Sequence, residues 1–73
     1  MPVAKVVLKR GRANPVWRGH PWVFSGAIHK LPAGLTPGEV VAVHDADERL
    51  IGHGFANPRS QIVVRMLTVG ELQ

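Results

Sequence analysis

Gly19-His20-Pro21-Trp22-Val23-Phe24-Ser25-Gly26-Ala27-Ile28 is the stretch that decides the fold. It holds one of the two tryptophans and one of the two phenylalanines of a chain without tyrosine, and the other tryptophan, Trp17, stands two residues before it. The largest side chains therefore enter the core, or a binding face, at this point. His20-Pro21 imposes an extended entry, because the residue before a proline is driven out of the helical region. Beyond it, Trp22, Phe24, Gly26 and Ile28 alternate with Val23, Ser25, Ala27 and His29. This spacing predicts a central strand launched from a short helical turn. Trp22 and Phe24 are expected in the core, since each aromatic ring buries about 150–250 Å² and large apolar groups are scarce here.

On the N-terminal side, residues 3–9 alternate, with Ala4, Val6 and Leu8 on one face and Lys5, Val7 and Lys9 on the other. This is the pattern of a half-buried strand with a basic outer face. Lys9-Arg10-Gly11-Arg12-Ala13 breaks it as a basic loop. Asn14-Pro15 then signals a helix start, with asparagine as cap and proline at the first helical position, where its missing N–H costs nothing. The helix is one turn, Pro15 to Arg18, and Gly19 ends it.

On the C-terminal side, the residues from Leu31 to Gly38 include two prolines and two glycines and read as a loop with a turn at Thr36-Pro37-Gly38. Glu39–His44 and Arg49–Phe55 form a hairpin through Asp45-Ala46-Asp47-Glu48, a connection where solvated acids belong. Gly52 and Gly54, on one face of the return strand, allow a bend or a close backbone approach. After the turn Ala56–Ser60, the last strand runs from Gln61 to Leu67. Ile62, Val64 and Met66 are expected inward, and Gln61, Val63 and Arg65 outward. The tail, Thr68 to Gln73, has no distinctive pattern. Five short strands with one helical turn describe a mainly β protein, a small barrel closed to avoid exposed sheet edges.

Seventy-three residues make one domain, 1–73, with 45% hydrophobic content to build a core. The absence of cysteine excludes a disulfide framework and a thiolate zinc site. No apolar run approaches the roughly 18–20 residues of a membrane span, and no signal-peptide pattern is present, so a cytoplasmic location is expected. The net charge of +4 is unevenly spread. Lys5, Lys9, Arg10, Arg12, Arg18 and Lys30 precede Gly38 without a single acid. Glu39, Asp45, Asp47, Glu48 and Glu71 outnumber Arg49, Arg59 and Arg65 after it. A polyanion partner for the first half is the natural implication.

Three segments together resemble a known family: Gly19 through Ile28, Pro37-Gly38-Glu39-Val40-Val41-Ala42-Val43, and Gly52-His53-Gly54-Phe55-Ala56-Asn57-Pro58-Arg59-Ser60-Gln61-Ile62 with Arg65. In order and spacing they look like the N-terminal PUA domain of bacterial S-adenosylmethionine-dependent ribosomal RNA cytosine-C5 methyltransferases. The resemblance implies a PUA-type pseudobarrel of five or six strands with a short helix. It also implies an RNA-binding role and a following methyltransferase domain that uses S-adenosylmethionine. This chain has no glycine-rich strand-to-helix loop and no nucleophilic thiolate, so no cofactor site and no catalytic residue are expected within it.

The candidate RNA-binding residues fall in two groups. Lys5, Lys9, Arg10, Arg12 and Arg18 can follow a phosphate backbone. His20 can cap the helical turn or touch phosphate, and Trp17, Trp22, Phe24 and Phe55 can stack on unpaired bases, Trp17 being best placed on an exposed turn beside Arg18. Arg59, Ser60 and Gln61 offer phosphate and base-edge contacts, or equally satisfy backbone groups at the start of the last strand. The histidines at 20, 29, 44 and 53 lack the spacing of a local metal motif, and no metal is expected. Two other readings compete with RNA binding. One is a protein-interaction barrel that docks a catalytic domain or a second copy through Val7, Val63 and the glycine-bearing strand. The other is a cap that stabilises a catalytic domain.

Overall fold

The computed structural model describes residues 3–69. Its order is β1 (Ala4–Leu8), α1 (Asn14–Trp17), β2 (Trp22–Phe24), a 3-10 turn (Ser25–Ala27), β3 (Ile28–Lys30), β4 (Glu39–His44), β5 (Leu50–Ala56) and β6 (Ile62–Val69). The strands form one sheet in the order β2-β6-β5-β4-β1-β3. β1 and β4 are parallel, and every other pair is antiparallel. A mainly β architecture of six strands and a short helix is thus present.

The decisive stretch is two edge strands rather than one central strand. Ser25-Gly26-Ala27 coils into a 3-10 turn, so the chain leaves one edge of the sheet and rejoins it at the other. Six strands laid flat at about 4.8 Å spacing would hold their edges about 24 Å apart. The chain from Phe24 to Ile28 reaches roughly 14 Å at full extension. The sheet therefore has to curl until its edges nearly meet.

The interior of so small a barrel is filled by medium-sized side chains. Val6, Leu8, Val23, Val41, Val43, Ile51 and Val64 are all fully buried, with Ala13, Val16 and Ala56 beside them. Trp22 and Phe24, expected in the core, lie instead on the outside, 44% and 46% exposed. Val23, between them, takes the inward position, because β-strand alternation leaves only one parity to the core. Val63, expected outward, is also buried. Val23 pairs with Val64 and Phe24 with Ile62, which leaves Val63 as the extra residue of a bulge, and a bulge turns consecutive side chains to the same side. Val7 is buried as well. The docking face expected through Val7 and Val63 is consequently covered.

The β4–β5 hairpin forms with the expected strands, but Asp45 is a buried organiser of its loop rather than a solvated acid. Its carboxylate accepts hydrogen bonds from the N–H groups of Asp47 (3.0 Å) and Arg49 (2.9 Å) and from Arg49 Nε (3.1 Å). On β5, Gly54 meets the β6 backbone at a second bulge. A Cβ there would stand against the Arg65 carbonyl oxygen and 2.8 Å from Val64 Cγ1. The close approach read from the glycines is real at Gly54. Gly54→Ala should lower stability by about 1–3 kcal/mol, the usual cost of overpacking. Urea unfolding checks this, with Gly26→Ala, where a Cβ meets nothing within 4 Å, as the comparison.

Candidate nucleic-acid interface

The basic loop is fixed to the turn that closes the barrel. Lys9 N–H donates to Ala27 O (2.8 Å), and Arg12 N–H donates to Lys9 O (3.0 Å) around Gly11 at φ 81°. Ala13, not Asn14, occupies the N-cap of α1, and no side chain caps the helix; Asn14 is already inside the first turn. Gly19, at φ 99°, ends it as expected. Gly19 N–H donates to Val16 O and His20 N–H to Pro15 O, both at 3.0 Å, which is the paired hydrogen bonding of a Schellman end. Arg12 and Arg18 thereby bracket α1.

The predicted cations divide into two sets. Lys5 pairs with Glu48, and Arg10 pairs with Asp47 at 3.0 Å, both across to the hairpin loop. The hydrogen bond from Lys5, reinforced by its charge, holds the Glu48 carboxyl below its ordinary range. Among the described residues, Lys9, Arg12 and Arg18 have no acid within ion-pair distance. Trp17 is exposed and belongs with the first set: it lines a shallow cavity of about 220 Å³ with Arg10, Asp45, Asp47 and Arg49.

Arg12 and His20 come together on a different cavity, of about 350 Å³, walled by Val16, Trp22, Phe24 and Gly26. His20, Trp22 and Phe24 form an exposed aromatic cluster with ring centroids 6.3–6.4 Å apart, Trp22 and Phe24 meeting edge to face at 82°. Trp22 N–H lies 3.3 Å from His20 Nδ1, a hydrogen bond in the tautomer protonated at Nε2. His20 thus serves both the helix end, through its backbone, and the start of β2, through its ring.

The second predicted group is tied into the fold. Asn57 Oδ1 accepts from Arg59 N–H (3.3 Å), Ser60 Oγ accepts from Ile62 N–H (3.1 Å), and Gln61 O accepts from Ser25 N–H (2.9 Å). Ser60 also lines a cavity of about 380 Å³ with Gly38, Phe55, Asn57, Ile62 and Arg65. Sequence reasoning missed Arg65 as a site residue. The sheet register sets Trp22 opposite Arg65, Arg65 opposite Phe55, and Phe55 opposite Val40, a row of four exposed side chains across the barrel wall. The outward parity of Arg65 was legible in β6, but its neighbours depend on strand order. Among the described residues, no group of three His, Cys, Asp or Glu comes close enough to hold a metal ion, and no helix is long and apolar enough to cross a membrane.

The sequence pattern of the PUA-like domain family matches residues 6–69. The chain belongs to that family. The PUA-like domain is 38% identical over 64 residues to ribosomal RNA large subunit methyltransferase I of Serratia proteamaculans (strain 568). It is 39% identical over 64 residues to the protein of the same name from Salmonella arizonae. Each alignment covers 88% of this chain and 16% of the relative, so the chain spans about one sixth of those proteins' length. Among solved structures, a chain of the archaeal box H/ACA sRNP Nop10-Cbf5 complex superposes with a TM-score of 0.80 at 24% identity, covering 92% of this chain and 24% of that one. NSun6 from Pyrococcus horikoshii superposes with a TM-score of 0.77 at 19% identity, covering 92% and 19%. These two likenesses establish the shared fold.

Stability of the hairpin loop that holds Lys5 and Arg10 should follow pH. The N–H of Arg49 is the main cause lowering the Asp45 carboxyl below its ordinary 3.8, and desolvation partly opposes it. A carboxyl depressed in the folded state contributes stability above its unfolded pKa, and that contribution disappears as pH falls through the folded value. The urea midpoint of Asp45→Asn should therefore lie below that of the parent at pH 7 and converge on it below about pH 4. A gap that stays constant from pH 7 to 3 would assign the Asp45 contribution to packing alone.

Proposed function

We propose that this PUA-like domain binds structured ribosomal RNA and holds it for a methyltransferase domain outside residues 3–69. One observation carries the reading. Lys9, Arg12 and Arg18, free of described acids, follow one another along a loop and helical turn that the hydrogen bond from Lys9 N–H to Ala27 O ties to the closing 3-10 turn. Cations spaced along a fixed surface neutralise successive phosphates, and this supplies affinity without selecting sequence. The ribosomal RNA methyltransferase relatives support ribosomal RNA as the substrate class and the cytoplasm as the place of action.

Chemistry is expected elsewhere in such an enzyme. S-adenosylmethionine would supply the methyl group, but the described residues do not fit that cofactor. The one α-helix among them is the four-residue Asn14–Trp17, entered from a loop with a single glycine, and no glycine-rich strand-to-helix turn precedes it. This domain's contribution is positioning: it fixes where the RNA lies relative to the reacting centre.

The ion pairs grade the expected effects. Arg12→Ala and Arg18→Ala should each weaken binding to ribosomal RNA fragments and flatten the dependence of log K on log salt, by up to about 0.7 for each phosphate no longer neutralised. Arg10→Ala should have a smaller effect, because Asp47 already engages that guanidinium. Fluorescence anisotropy across a salt series, with duplex DNA as control, measures both. Unchanged binding in the Arg12 and Arg18 variants would move the phosphate track to another face.

A further inference from the structure

The row Trp22–Arg65–Phe55 has a composition that phosphate tracking does not use. Strands stand about 4.8 Å apart, so Trp22 and Phe55 flank Arg65 at a separation of about 10 Å. Both rings are 44% exposed, although burying them would be favourable. Arg65 has no described acid within ion-pair distance, and Arg12 stands at the far cavity beyond Trp22.

The cavity beside Phe55 adds a chemical constraint. Its two side-chain acceptors each already take one hydrogen bond: Asn57 Oδ1 from Arg59 N–H, and Ser60 Oγ from Ile62 N–H. Three donors there have no partner among the described residues, namely the Asn57 amide NH₂, the Ser60 hydroxyl proton and the Arg65 guanidinium. The occupant must have a flat apolar face for Phe55 and several acceptors at its edge. An unpaired nucleotide has both, since every base carries a π-face and its carbonyl, ring nitrogen and phosphate oxygens accept. An apolar protein segment would leave the three donors unsatisfied, at a desolvation cost.

We propose that the cavity bounded by Phe55, Asn57, Ser60 and Arg65 takes one unpaired nucleotide of the RNA, its base on Phe55 and an adjoining base on Trp22 across Arg65. This site rests on the RNA-binding reading and deepens it, making the domain selective for looped over fully paired RNA.

The test compares two fluorescent RNAs of equal length, one with an unpaired loop and one fully duplex, against the 73-residue chain and its variants. The parent should bind both and prefer the looped RNA. Phe55→Ala and Trp22→Ala, at exposed positions that leave the core intact, should each reduce affinity for looped RNA about tenfold, in the range for removing one base–aromatic stack, with duplex affinity unchanged. Phe55→Trp should restore the preference, and Arg12→Ala should weaken both RNAs alike. Equal losses on both RNAs in the Phe55 variant, or no loss on either, would overturn the nucleotide site while leaving the phosphate track standing; the second result would assign the face to a protein partner. A parent that binds neither RNA at low salt would overturn the site and the RNA-binding reading together.

Discussion

A three-residue 3-10 turn, Ser25–Ala27, joins the two edge strands of the sheet, and the rest of the molecule is arranged around that short connection. A flat sheet cannot accommodate it, because its edges would lie farther apart than the chain can reach. Curling satisfies the connection and leaves little open edge. The turn is itself anchored from two sides, by Lys9 N–H on Ala27 O and by Ser25 N–H on Gln61 O. The loop that carries the free cations and the turn before β6 are therefore attached to the same closure. Segments far apart in sequence thus share one anchor.

Curvature also sorts the side chains. The interior of a barrel this small is filled by valines with a few leucine, isoleucine and alanine side chains, so the bulky rings are carried on the outer wall. Trp22, Phe24 and Phe55 stay partly in water, clustering with His20 on one side of Arg65 and standing alone on the other. Retaining such groups at the surface of a small domain forgoes burial worth about 1.5–3 kcal/mol for a fully buried large apolar side chain. A surface that forgoes it is available for stacking and apolar contact.

The charges are sorted by the hairpin. Asp45 is buried and shapes the loop, and that shape presents Asp47 and Glu48 to Arg10 and Lys5. The basic half of the chain is thereby divided into cations with a partner inside the fold and cations that face solvent alone. Exposed pairs of this kind add little to stability. Their consequence is electrostatic: they partly neutralise the hairpin side of the barrel and leave Lys9, Arg12 and Arg18, along the basic loop and α1, without an acid partner among the described residues.

Much of this was determined by the sequence alone. Alternation in residues 3–9 and 61–67, the turn chemistry at Thr36-Pro37-Gly38, the Gly19 helix end and the basic first half specify strands, a helical turn and an uneven positive charge, because each depends on neighbours a few residues apart. The family resemblance lies in the same local segments. The break at Ser25–Ala27 was not legible, since its alternating pattern continues unchanged through the turn. The exposure of Trp22 and Phe24, the inward rotation of Val63 at a bulge, and the burial of Asp45 depend on which strand lies opposite and how much volume the closed barrel encloses. The same holds for the row Trp22–Arg65–Phe55, whose members come from three strands. Only the tertiary structure decided these, because hydrogen-bond register between strands brings the residues together, and register is a property of the closed sheet rather than of any one segment.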